Sequence, residues 1–147
     1  MSEHTTEHLA VAASPAACWA VAVDLERYPE WVADLKQVTI KEHDGEGRPL
    51  VVTFRAAAFG RSTTYTLRYD YAQAPAVLAW EQIDGDLTAR LDGSYTFNAD
   101  GAGTDVVYDL TADLKVPIPG FIKSRAQGRI QATALRELRA RVESLNS

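Results

Sequence analysis

From residue 37 to about residue 114 the chain alternates apolar and polar side chains with a period near two, broken only by short clusters of Gly, Asp and Pro. Connections that short leave no room for helical crossovers, so the segment predicts antiparallel strands that follow one another in a meander. The first strand carries Val38 and Ile40, and Asp44-Gly45-Glu46-Gly47 turns it into a second, Leu50 to Phe59. Gly60-Arg61 reads as a two-residue turn that would pair Phe59 with Ser62. That register sets Phe54, Ala56 and Ala58 on one face with Thr63, Tyr65 and Leu67. In residues 62–71, Tyr65, Leu67, Tyr69 and Tyr71 alternate with Thr66, Arg68 and Asp70, which points the odd-numbered side chains inward. After Ala74-Pro75-Ala76 the pattern resumes, and a turn at Gly85-Asp86 would set Trp80 opposite Leu91. Leu87, Ala89, Leu91, Gly93, Tyr95 and Phe97 then face inward. The last strand turns Val106, Tyr108, Leu110, Ala112 and Leu114 inward, and Val116-Pro117-Ile118-Pro119-Gly120 ends it.

Helical signals flank this block. Residues 4–12 form an opening strand, Ser14 and Pro15 are a cap and a first-turn residue, and a short helix Ala16–Val23 follows. A second helical piece begins at Asp24, breaks at Tyr28-Pro29 and restarts a turn around Trp31, Val32 and Leu35. Residues 121–147 read as one long amphipathic helix with the inward stripe Ser124, Gln127, Gln131, Ala134, Leu138, Val142 and Leu145. Its second half is ordinary core. Its first half presents polar groups where a tightly packed interface would place Leu or Ile.

The order implies an α+β fold: a curved antiparallel sheet of about seven strands, in the sequence β-α-α-β6-α, wrapped around a long C-terminal helix. A sheet with one apolar face must cover it, and a helix of 27 residues spans ~40 Å. Strands of about ten residues span ~33 Å, so the two match. With 147 residues the chain fits one domain, 1–147. No apolar run approaches a membrane span and the N-terminus lacks a secretion signal, which predicts a cytoplasmic protein without stable membrane insertion. Cys18 has no cysteine partner and reads as packing. The net charge of −5 argues against nucleic-acid binding, although the last helix carries six basic and two acidic residues. Those basic side chains read as a solvated face, and an anionic partner there is the lesser reading.

Ser14-Pro15 with Cys18-Trp19, the run Asp24 to Trp31, Asp92-Gly93-Ser94-Tyr95, Gly103-Thr104 and Pro117-Ile118-Pro119-Gly120 together resemble the START/Bet v1-like (SRPBCC) superfamily, in its polyketide cyclase/dehydrase and lipid-transport branch. The resemblance spans almost the whole chain. It implies the helix-grip fold with an internal cavity between sheet and long helix that usually holds an apolar molecule, and it implies no obligatory cofactor.

The inward residues fit that expectation. Phe54, Ala58, Tyr65, Leu67, Tyr69, Trp80, Leu91, Tyr95 and Tyr108 on the sheet, with Ser124, Gln127 and Gln131 on the helix, are the candidate cavity lining. For any one of these residues plain core filling is the simpler reading. The set holds more polar groups than a dry core buries without partners, and Gln127 and Gln131 are expected to border a void. Between residues 50 and 114 no inward strand position is a carboxylate, lysine, arginine or histidine, apart from Asp84 at a strand end; Glu42, near the end of its own strand, is a second inward candidate. His4, His8 and His43 are too scattered for a metal. The leading reading is therefore a protein that binds or carries a small hydrophobic molecule of lipid, polyketide or quinone type, as a monomer or weak dimer. The alternatives are a polyketide aromatase/cyclase working through pocket tyrosines, and a toxin-like or quinone-chaperone interaction protein acting through the basic helix face.

Overall fold

The computed structural model describes residues 3–58, 60–117 and 119–146, with Ala58 and Phe121 described by their backbone alone. In chain order the elements are β1 (Glu3–Val11), α1 (Pro15–Val23), a 3-10 helix (Leu25–Glu30), β2 (Leu35–His43), β3 (Pro49–Ala58), β4 (Arg61–Asp70), β5 (Val77–Gly85), β6 (Thr88–Asp100), β7 (Gly103–Leu114) and α2 (Gly120–Leu145). The described strands form one antiparallel sheet in the order β1-β7-β6-β5-β4-β3-β2, so the meander is closed on one side by the N-terminal strand. This is the α+β helix-grip arrangement read from the sequence.

Ser14 caps α1 as its chemistry requires: its Oγ accepts from Ala17 N at 3.2 Å, and Pro15 occupies the first turn. The second helical piece runs through Pro29 as a 3-10 turn, then ends. Trp31 and Val32 donate to Tyr28 O and Leu35 already opens β2, so the expected restart of a helix there is corrected to a turn.

Two strand registers differ from the sequence reading by two residues. Ala58 pairs with Arg61 and Phe54 with Tyr65, with the connection at 59–60 and Gly60 at φ 74. The glycine is needed at the second turn position, not the first; Phe59 itself lies outside the described residues. Trp80 pairs with Gly93 rather than Leu91. Because both slips are even, every side chain keeps its face, and the apolar side of the sheet is the one expected. The exception is the start of β6. A bulge between Thr88 and Arg90 buries Thr88 and exposes Ala89, the reverse of the expected alternation.

The helix α2 lies along β1 and β7 and touches α1. Gln127, Gln131, Leu135, Leu138 and Val142 are its buried residues on this stripe. Leu135 replaces Ala134, which is half-buried, and Leu145, the last residue of the helix, is 61% exposed and not on the buried stripe. Leu135, Leu138 and Val142 pack with Cys18, Ala22, Leu25 and Val106 into the main core, each fully buried apolar side chain contributing about 1.5–3 kcal/mol.

Candidate functional site

The inward face of the sheet carries a band of aromatic rings because alternate residues of consecutive strands point the same way. Phe54 and Tyr65 face each other across β3 and β4 with ring centroids 5.3 Å apart. Tyr69 opposes Trp80 across β4 and β5 at 6.0 Å. Tyr95 and Tyr108 meet across β6 and β7 at 4.6 Å, and Trp80 joins them at 5.4 and 5.9 Å. Leu67 is buried and Leu91 half-buried on the same face. Gly93, on the same face, does not leave open room. The Trp80 indole occupies the place, and a β-carbon at Gly93 would come 2.7 Å from Trp80 Cζ2. Ala58 belongs to β3, and its side chain lies outside the described part of the structure.

The tyrosines divide into two kinds. Tyr28 donates to Ala22 O and Tyr71 to Pro49 O, so both hydroxyls are satisfied. Tyr65, Tyr69, Tyr95 and Tyr108 have ring contacts but no hydrogen-bond partner for the hydroxyl among the described residues. A sealed, unpartnered hydroxyl would be costly. The only side-chain oxygen or nitrogen of that sort among the described residues is Gln127 Oε1, so each of the four tyrosine hydroxyls still reaches space that water can enter. Burial pushes the Tyr65 phenol up to about 12. Those of Tyr69, Tyr95 and Tyr108 are also raised, by burial first and then by neighbouring tyrosines. All four are therefore neutral hydrogen-bond donors at physiological pH. They can bind a carbonyl or stabilise an enol, but none is a base.

On the helix side the three expected residues are engaged by the protein. Ser124 Oγ donates to Glu3 Oε2 at 2.7 Å. Gln127 Nε2 shares its two hydrogens among Leu110 O and Thr5 Oγ1, both at 2.9 Å, and Glu3 O at 3.1 Å. Gln131 Nε2 donates to Tyr108 O at 2.9 Å and Thr5 O at 3.1 Å, while its Oε1 accepts from the Thr5 hydroxyl. The two glutamines thus fasten α2 to β1 and β7. A polar stripe against carbonyls needs no ligand to satisfy it, apart from the single orphan oxygen of Gln127.

Sequence reasoning missed the other fasteners. Glu137 Oε2 accepts from Ala33 N at 2.9 Å, Glu143 Oε2 accepts from Ala12 N at 2.8 Å, and Arg141 pairs with Glu30 at 2.8 Å. Nothing in the local pattern distinguishes these glutamates from solvated ones. Trp19 and Phe97 also extend the aromatic band, with centroids 6.3 Å apart. Asp84 and Glu42 are exposed, so neither reaches the inward face. His4 and His8 contact Asp109 and Asp105 at 3.0 and 3.1 Å, and no group of three or more His, Cys, Asp or Glu among the described residues is placed to hold a metal. An open depression of about 640 Å³ is lined by Leu50, Tyr69, Tyr71 and Trp80 together with the charged Asp44, Arg48, Arg68, Asp70 and Glu81, so it reaches two of the expected lining residues.

The sequence matches a family described as polyketide cyclase / dehydrase and lipid transport over residues 2–143. No curated protein sequence matches it. Among solved structures, a START superfamily protein from Mycobacterium smegmatis is similar with a TM-score of 0.91 at 23% identity, covering 97% of this chain and 98% of that one. The ZhuI aromatase/cyclase from Streptomyces sp. R1128 gives a TM-score of 0.83 at 19% identity, with 97% and 94% covered. Ara h 8.0201 gives 0.73 at 16%, with 98% and 99% covered. Likeness at these identities carries the fold alone, a START/Bet v1-like helix grip.

Proposed function

Since the chain belongs to the polyketide cyclase/dehydrase and lipid transport family, we propose that it binds or carries a small hydrophobic molecule of lipid, polyketide or quinone type between the inward face of the sheet and α2. The observation that carries this reading is the set of hydroxyls of Tyr65, Tyr69, Tyr95 and Tyr108, which have no partner among the described residues and keep access to water. Aromatic walls supply apolar contact, and neutral phenol donors supply orientation toward an acceptor oxygen. Gln127 and Gln131 belong to the frame on this reading, and the ligand lies against the tyrosines. The test is incubation with phospholipids, fatty acids, aromatic polyketides and quinones, read by native mass spectrometry and quenching of tryptophan fluorescence. A one-to-one complex with at least one class supports the proposal, and no complex with any of them refutes it.

An aromatase/cyclase-type activity is the second reading. It is favoured by the fact that burial holds four phenols protonated, which suits polarisation of a ketone. Enolisation also needs a base, and no inward strand position between 50 and 114 carries a carboxylate or imidazole; the inward carboxylates are Glu3, bonded to Ser124, and Glu7, which pairs with Tyr108 across β1 and β7. Turnover of a poly-β-ketone that falls on Tyr95→Phe or Tyr108→Phe would establish the enzyme, and tight binding without turnover would leave the carrier.

A further inference from the structure

The first half of α2 turns an unpartnered face to solvent. Ile122, Arg125, Arg129 and Ile130 are exposed, and at 3.6 residues per turn they share an arc of about 140° on the side away from Gln127 and Gln131. Large apolar side chains exposed among the described residues number five, and two of them lie on this half of α2: Ile122 at 49% and Ile130 at 51%. Residues 115–130 hold four basic residues and no acidic one, so the chain's net −5 divides into +4 here and −9 elsewhere. Lys123 is paired with Asp113 at 3.0 Å and Lys115 Nζ donates to Gly85 O at 2.6 Å. Arg125 and Arg129 have no hydrogen bond or ion pair among the described residues.

We propose that this face docks reversibly on the surface of an anionic lipid bilayer. A lone exposed isoleucine is ordinary. Isoleucines that flank unpaired arginines along one helix have the pattern of an interfacial helix, in which apolar side chains enter the headgroup boundary while guanidinium groups meet lipid phosphates. The net-acidic remainder biases the orientation, because an anionic surface repels it while attracting this face. No helix among the described residues is long and apolar enough to cross a membrane, so the contact is peripheral. Each free basic side chain near such a surface strengthens binding about fivefold, and salt screens it. The inference is independent of what the tyrosine face binds.

Flotation of the ligand-free protein with phosphatidylglycerol-containing and pure phosphatidylcholine vesicles tests it. The expected result is binding to the anionic vesicles only, lost in high salt, lost in Arg125→Glu/Arg129→Glu and weakened at least about tenfold in Ile122→Ser/Ile130→Ser. All four side chains are exposed, and an unchanged circular dichroism melt verifies that the variants fold. Binding that is absent, that is equal on neutral vesicles, or that survives the arginine reversal would overturn the proposal. So would a change of oligomeric state in the isoleucine variant without a change in flotation, since the patch would then face a second copy of the chain.

Discussion

The indole of Trp80 lies on the bare Cα of Gly93: a β-carbon there would stand 2.7 Å from Trp80 Cζ2 and 2.6 Å from the carbonyl oxygen of Asp109. The second contact is backbone in the adjacent strand, so it cannot swing aside. Gly93→Ala is expected to destabilise the fold by about 1–3 kcal/mol, through overpacking of a close-packed face. Urea denaturation measures it, and a shift in tryptophan emission should accompany it. Wild-type stability would mean that the indole does not rest on this glycine.

Gln131 is buried with its amide on Tyr108 O and Thr5 O. Gln131→Leu keeps the volume and removes the bonds, leaving two carbonyls and the Thr5 hydroxyl without that partner. A loss of about 1–3 kcal/mol is the expected outcome in chemical denaturation. Hydrogen exchange should rise first in β1, the strand whose attachment to α2 is cut.

Alkaline pH should unfold the protein cooperatively. Burial raises the Tyr65 and Tyr71 phenols from 10.0 to about 12 in the folded state, with Asp44 adding to the effect at Tyr71 and Arg48 opposing it. The unfolded chain ionises near pH 10.0, so above that pH it releases protons that the folded chain retains. Stability is therefore full below about pH 10 and falls as pH rises through about 12. Tyrosinate absorbance and far-ultraviolet circular dichroism should change together. Ionisation of the buried phenols near pH 10 with the fold intact would contradict this.

Cys18 is fully buried, and burial pushes its thiol up despite a hydrogen bond with Thr104. Aromatic disulfide reagents are expected to react with it only at the rate of unfolding, and at once in denaturant. Rapid reaction of the native protein would show that this core opens.

The strands, the inward face and the end of the chain that forms the long helix were all legible in the sequence, because periods of two and 3.6 are imposed by backbone geometry. Registers were less so. The position of Gly60 in its turn depends on a positive φ that the tetrapeptide does not announce. The β5–β6 pairing is set by side chains standing in for backbone: Gln82 N donates to Asp92 Oδ1, and Gln82 Nε2 donates to Thr88 O. On α2, Ala134 and Leu135 are equally compatible with a helical stripe, and only the approach of the sheet decides between them. Gln127 and Gln131 were legible as inward polar groups. Their partners are the Thr5 hydroxyl and the backbone carbonyls of Glu3, Thr5, Tyr108 and Leu110, and no side-chain pattern encodes the carbonyls.

The most direct measurement of the account compares the tyrosines with one another. Tyr65, Tyr69, Tyr95 and Tyr108 have no protein partner for the hydroxyl among the described residues, whereas Tyr28 and Tyr71 do. Each is changed singly to Phe, and denaturation is measured beside affinity for an oxygen-bearing ligand found by screening. The account predicts that the first four variants keep wild-type stability or gain slightly, while at least one binds the ligand about fivefold more weakly. Tyr28→Phe and Tyr71→Phe should lose about 1 kcal/mol of stability instead. Stability lost throughout the first group, with ligand affinity unchanged in all four, would contradict the claim that these hydroxyls face a guest.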